Sequence, residues 1–109
     1  MIFKFEPIYQ ERVWGGDMFS RFLRRKSLPY DKIGESWDIV DRENLSSKVI
    51  SLGKEKLSLR DLIESDPENI LGKNWNKDDK FPILVKWLDC SDRLSLQVHP
   101  PASIAESLN

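Results

Sequence analysis

At 109 residues the chain is long enough for one domain with a modest core, and seventeen Lys and Arg against eighteen Asp and Glu leave a formal net charge of −1. That balance supplies no broad field for nucleic acid or an anionic membrane surface, and no stretch reads as a signal peptide or reaches transmembrane length. Cys90, the single cysteine, excludes an intrachain disulfide and a zinc site built from cysteine pairs, fits a reducing cytoplasm, and reads as a structural thiol.

Ile2-Phe3-Lys4-Phe5 alternates apolar and polar residues up to Pro7, which predicts a short edge strand. Val13-Trp14-Gly15-Gly16 predicts a turn, with Trp14 in the core. Asp17 is placed to cap a helix running to about Arg25, with Met18, Phe19, Phe22 and Leu23 on one side. The basic run Arg21, Arg24, Arg25 and Lys26 suits the negative helix end, either as a solvated face or as a phosphate-binding patch. After a loop, Ile33 to Val40 predicts a strand whose Ile33, Trp37 and Ile39 share a face with Glu35. If that face is buried Glu35 needs a partner, because an unpaired carboxylate is costly to desolvate; the alternative is an edge position open to water. Turn-forming Asp41-Arg42-Glu43-Asn44 followed by Ser47 to Leu52 predicts a hairpin.

Ser58, with Asp61 three residues on and Leu59, Leu62 and Ile63 at helical spacing, predicts a capped helix; Asp66-Pro67 starts another that Gly72 ends. Asn74 to Lys80 is a polar connector, and no repeat or second unit interrupts the chain, which reads as a single unit over 1–109. Phe81 to Leu88 is nearly all apolar, which predicts a strand buried on both faces. Lys86 is its exception, reaching either to water or into a cavity beside an anionic ligand. Asp89 to Arg93 predicts a turn into Leu94-Ser95-Leu96-Gln97-Val98-His99-Pro100, where strict alternation predicts a strand with Ser95, Gln97 and His99 on one face, and Lys86 across from Ser95 or Gln97. That polar face either meets water or lines a barrel in which Gln97 and His99 reach one metal ion.

Trp14-Gly15-Gly16, Gly34-Glu35-Ser36-Trp37, Phe81-Pro82-Ile83-Leu84-Val85-Lys86 and Leu94 to Pro100, in that order, resemble successive signatures of the type I mannose-6-phosphate isomerases, zinc enzymes of the cupin superfamily. The resemblance covers about the first third of a short family member. It implies a mainly β fold, a partial cupin-like barrel or sheet with two or three short helices, from Asp17 to about Arg25 and from Ser58 to about Leu71. It implies Gln97 and His99 as zinc ligands, Lys86 and Ser95 as catalytic residues facing the sugar phosphate with Lys86 near its phosphate, and Trp14 as a pocket wall. Glu35, within a matched motif, is given a structural role. The family's remaining ligands, a glutamate soon after His-Pro and a later histidine, have no counterpart before Asn109, and Pro101 stands where the family carries acidic or amide residues. The expected function is therefore that of a mannose-6-phosphate isomerase, with this chain as the N-terminal part of the site, cytoplasmic, weak in zinc binding and inactive alone. The alternative is a non-catalytic truncated cupin module that binds a sugar phosphate or a partner chain, with a second copy covering its open sheet edges.

Overall fold

The computed structural model describes residues 2–50, 56–94, 96 and 98–108, the last three for their backbone only. In chain order the elements are β1 (Ile8–Gly16), α1 (Met18–Arg21), β2 (Ile33–Ile39), β3 (Asp41–Arg42), β4 (Leu45–Ser46), α2 (Leu59–Ser65), α3 (Pro67–Leu71), β5 (Val85–Leu88) and α4 (Ala102–Leu108). The architecture is mainly β, with short helices and no closed barrel among the described residues. No helix among them is long and apolar enough to cross a membrane.

β2 is the central strand, antiparallel to β1 on one side and to β5 on the other. Its position explains its burial: Ile33, Gly34, Glu35 and Ser36 are all buried, because a central strand is covered on both edges and here on both faces at its start. Ile33 and Val40 join Phe19 of α1 and Leu59, Leu62 and Ile63 of α2 in a small core. α2 forms as its sequence predicts. The Ser58 hydroxyl accepts from the Asp61 N–H at 3.0 Å while the Asp61 carboxylate accepts from the Ser58 N–H at 2.8 Å, a complete capping box. α3 likewise opens on Pro67 and closes at Gly72, whose φ of 92° only glycine adopts without strain.

Four local expectations change. The stretch ending at Gly15-Gly16 is not a turn but the end of a nine-residue strand, and Ile2 to Phe5 supplies only an isolated bridge from Phe5 to Val49. Close approach is what requires glycine here: a Cβ on Gly15 would lie 2.6 Å from the backbone of both Ile33 and Gly34. α1 is a single turn instead of a helix to Arg25, since the backbone turns left-handed at Arg24 (φ 54°), and the Asp17 side chain makes no capping bond. The hairpin forms as β3 and β4, earlier than the predicted returning strand, with Glu43 and Asn44 as the tight turn.

The larger differences follow Leu84. Only Val85–Leu88 of the predicted strand pairs, and all four residues are exposed rather than buried on both faces, because β5 is an edge strand whose outer side no described residue covers. The predicted strand from Leu94 to Pro100 is absent at its described residues: Leu94, Leu96, Val98 and His99 are exposed and unpaired with any strand. The turn that should fold back along β5 is instead held at the far side of the sheet. Asp89 N–H donates to Gly34 O at 2.9 Å, the Asp89 carboxylate accepts from Met18 N–H at 2.7 Å, and Ser91 N–H donates to Trp14 O at 2.8 Å. The result is a thin molecule of 45 × 42 × 19 Å with a radius of gyration of 16.5 Å, against about 13 Å for a compact domain of this size.

Gly15→Ala is expected to destabilise by about 2–3 kcal/mol, since two backbones must separate to admit the methyl group. Ser58→Ala is expected to cost about 1 kcal/mol, the usual effect of losing a cap. Urea unfolding of the two variants checks the order, and a Gly15→Ala chain as stable as the parent would contradict the close approach.

Candidate active-site cleft

Each strand of the main sheet contributes a pair of residues two apart to one open cleft of about 380 Å³. Arg12 and Trp14 come from β1, Glu35 and Trp37 from β2, Lys86 and Leu88 from β5, and Leu94 closes one side. For β2 and β5 the reason is the pleat. Residues two apart face the same way, and the register sets Glu35 opposite Leu88 and Trp37 opposite Lys86, so Lys86 reaches Glu35 on the diagonal. β1 arrives differently, with register shifts after Gln10 and Glu11 that carry it over Gly34. A Cβ on Gly34 would lie 2.6 Å from Arg12 Cβ and 2.8 Å from the Trp14 ring, so the glycine makes room for both side chains.

Glu35 is the hub. Its side chain is 8 % exposed; Oε1 accepts from Lys86 Nζ at 2.6 Å, and Oε2 pairs with Arg12 Nη2 at 2.7 Å. Burial alone would push the Glu35 carboxyl up, but the Lys86 hydrogen bond and the positive charges of Lys86 and Arg12 outweigh it and hold the group below its ordinary value of 4.5. The expectation that a buried Glu35 needs a partner is met twice over. Lys86 meets an anion, but that anion belongs to the chain. Its ammonium uses one of three donors on Glu35, and its side chain, 37 % exposed, lines the cleft, so two donors remain for a ligand. Arg12, 36 % exposed, spends a second contact on Glu11 O at 2.8 Å and likewise keeps donors free. Two cations against one carboxylate leave the cleft with a positive surplus between tryptophan walls.

The residues expected to act together divide. Trp14, Glu35 and Lys86 share the cleft, whereas His99 is exposed, outside any strand and not among the cleft's lining residues. Ser95 and Gln97 lie outside the described residues, so their proximity to Lys86 is not described. Among the described residues no group of three or more His, Cys, Asp and Glu side chains is arranged to hold a metal ion. One exposed imidazole does not make a zinc shell, and the described donors alone do not fit the metal. The sequence reading missed Arg12 and Trp37 as cleft residues. The usable signal for Arg12 was alternation through Gln10, Arg12 and Trp14, which reading the glycines as a turn concealed.

Of the basic run, Arg21, Arg24 and Lys26 are exposed, as a solvated face requires. Arg25 is a structural tie rather than part of a solvated face. It donates to Ser36 Oγ at 2.7 Å, lies 3.9 Å from Asp38, and stacks 5.7 Å from the Tyr9 ring and 5.5 Å from Phe19. A second buried carboxylate, Asp41, is gripped by Arg60 and accepts from Phe81 N–H at 2.9 Å. Burial would raise its pKa, but these contacts hold it below 3.8. Arg60 also donates to Lys77 O at 2.7 Å and Asp79 O at 2.8 Å, which fastens the polar connector leading into β5.

Because Glu35 and Asp41 titrate lower in the folded chain than in the unfolded one, the unfolded state takes up protons first as pH falls. Their stabilisation is therefore complete above about pH 4.5 and is lost as pH falls through their lowered values. Thermal melts from pH 7 to 3 are expected to show this loss, and Glu35→Gln to be less stable at pH 7 with a shallower decline below pH 4.5. An equally steep decline in that variant would contradict the pairing.

The phosphomannose isomerase type I catalytic domain model matches residues 2–109. The chain is 33 % identical over 96 residues to the mannose-6-phosphate isomerase ManA of Bacillus subtilis, covering 88 % of this chain and 29 % of that protein. It is 36 % identical over 101 residues to the probable mannose-6-phosphate isomerase GmuF of the same organism, covering 93 % and 31 %. To the mannose-6-phosphate isomerase of Streptococcus mutans it is 32 % identical over 108 residues, covering 92 % and 32 %. It spans about a third of the length of these relatives, and no solved structure matches it. With its matched residues running through β1, β2 and β5 and the cleft between them, the chain belongs to the phosphomannose isomerase type I catalytic domain family.

Proposed function

We propose that residues 1–109 form one unit, the N-terminal portion of a cupin-type mannose-6-phosphate isomerase of the cytoplasm, and that its cleft receives the phosphate end of the sugar. The observation that carries this reading is the Lys86 ammonium, about one-third exposed along its side chain and hydrogen-bonded to a buried carboxylate in an open cleft with a positive surplus. A phosphate monoester carries about −1.5 to −2 charge near pH 7, and it can take up the donors that Lys86 leaves free. Trp14 and Trp37 offer apolar walls against which a sugar ring packs. Lys86 binds and orients; Ser95, as in the family resemblance, adds a hydrogen bond to the sugar.

Gln97 and His99 are proposed as two of the zinc ligands. A zinc ion held by them together with further ligands would supply Lewis-acid polarisation of the sugar's oxygens. Since the described donors do not complete a shell, the chain on its own is expected to bind zinc weakly and to leave mannose 6-phosphate unconverted. Calorimetric titration of the chain with mannose 6-phosphate is expected to give binding that Lys86→Ala weakens about tenfold or more, as fits the loss of a charge-assisted contact. Glu35 keeps Arg12 in that variant, so the fold is retained. Equal affinity in the two chains would remove the phosphate role, and isomerase turnover by the chain with added zinc would refute its inactivity alone.

A second reading is favoured by β5, where Val85, Trp87 and Leu88 are 44 %, 54 % and 49 % exposed on an edge strand. In it the chain is a binding module whose edge pairs with a second copy, strand to strand. Sedimentation velocity across a hundredfold concentration range is expected to show association that Trp87→Lys weakens. A single monomeric species at every concentration would exclude this reading.

A further inference from the structure

Arg12 carries a consequence that Lys86 alone does not. Its guanidinium sits on the opposite oxygen of the same carboxylate, so Glu35 holds two cations on either side of one point: Lys86 at 2.6 Å and Arg12 at 2.7 Å. Both are about one-third exposed and both line the cleft. We propose that Arg12 and Lys86 form a two-cation receptor for a phosphate dianion, with Arg12 as a second binding residue and Glu35 as the positioning residue that sets their spacing. The inference rests on reading the cleft as the phosphate-binding part of the site, and it adds a residue and a charge preference to that reading.

Three features converge. First, the donor geometry is divided: an ammonium is a point charge with three donors, whereas a guanidinium presents a planar fork suited to two oxygens of one phosphate. Arg12 places Nη2 on Glu35 and Nη1 on Glu11 O, which fixes the plane of the group while leaving other N–H donors uncommitted. Second, Arg12 is locked in place from behind. Its Cβ and Cγ pack into the space that Gly34 leaves, each 2.6 Å from where a Cβ would stand, so the long side chain loses little freedom on binding. Third, the charge count selects the ligand. Two cations and one carboxylate leave one positive charge, which a neutral sugar cannot use and which draws an anion, the more strongly the greater its charge. Glu35 contributes no contact to the ligand; as an anion facing one, it acts through the two side chains it holds.

The test is calorimetric titration of the 109-residue chain, and of Lys86→Ala, Arg12→Gln and Arg12→Lys, with inorganic phosphate, mannose 6-phosphate and mannose at pH 5.5 and pH 7.5. Between these values phosphate passes mainly from monoanion to dianion, with its second pKa near 6. The expected result is that Arg12→Gln weakens both phosphate ligands about tenfold or more and leaves mannose unchanged. Arg12→Lys is expected to restore most of the affinity, and the strengthening of binding between pH 5.5 and 7.5 to shrink in Arg12→Gln. A purely structural arginine would move none of the pH difference and would affect mannose equally, which would overturn the proposal. Phosphate binding lost in Lys86→Ala but intact in Arg12→Gln would overturn it while leaving the phosphate reading of Lys86 standing. Absence of phosphate binding by the parent chain would end both. Should Arg12→Gln fail to fold, Arg12→Lys decides alone: a folded lysine variant that binds phosphate without a gain at pH 7.5 overturns the proposal, and one that keeps the gain supports it.

Discussion

A carboxylate that cannot be left alone organises this molecule. Glu35 sits near the start of the central strand, where both faces are covered, and its charge survives there only because β1 and β5 each bring a cation to it. The three strands of the sheet thus share one electrostatic knot in addition to their backbone ladders. Such a knot contributes less to stability than its short distances suggest, since the cations are a third exposed and pay for desolvation in part. Its value is in register: a slip of one residue in β5 would turn Lys86 away and one in β1 would turn Arg12 away, each leaving buried Glu35 with a single cation.

A second buried acid performs the same task at the sheet's other end. β5 is separated from β2 by more than forty residues, and loop closure of that length brings no register of its own. Asp41, at the start of β3 just beyond β2, accepts from Phe81 N–H while Arg60 of α2 holds both Asp41 and the carbonyls of Lys77 and Asp79. The connector is thereby pinned next to the end of β2, and the chain enters β5 at the point from which Lys86 can reach Glu35. A polar segment that reads as a mere spacer is tied down by a single arginine.

Where the sequence was legible, the determinants were local. The capping box at Ser58 and Asp61, proline at the start of α3 and Gly72 at its end depend on neighbours a few residues away, and the structure keeps them all. β2 was readable for the same reason, and so was the existence of a hairpin after it, though its returning strand comes earlier than predicted. What sequence could not reveal was non-local. Gly15 looks like a turn residue until the backbone of β2 is placed against it, and the apolar run from Phe81 to Leu88 implies burial only if layers exist on both sides to bury it. In the cleft, Trp14, Glu35 and Lys86 were legible through motif resemblance. Arg12 was not, because its alternation with Gln10 and Trp14 emerges only when Gly15-Gly16 is read as strand, and its place over Gly34 depends on how β1 crosses β2.

The segment with the strongest alternation, Leu94 to Pro100, has the least strand structure at its described residues, and the reason bears on how the cleft is completed. Alternation specifies which side chains share a face, but a strand also needs an edge to pair with and an apolar layer beneath it. Here Asp89 and Ser91 commit the preceding turn to Met18, Trp14 and Gly34, and Leu96 and Val98 remain 94 % and 79 % exposed. Burial of those two side chains against another layer would favour strand formation by about 1.5–3 kcal/mol each, enough to compete with the few hydrogen bonds that hold the turn. The cation-bearing side of the cleft is therefore preformed by Glu35, whereas the strand that alternation predicts from Leu94 to Pro100 depends on an apolar layer that the described residues do not supply.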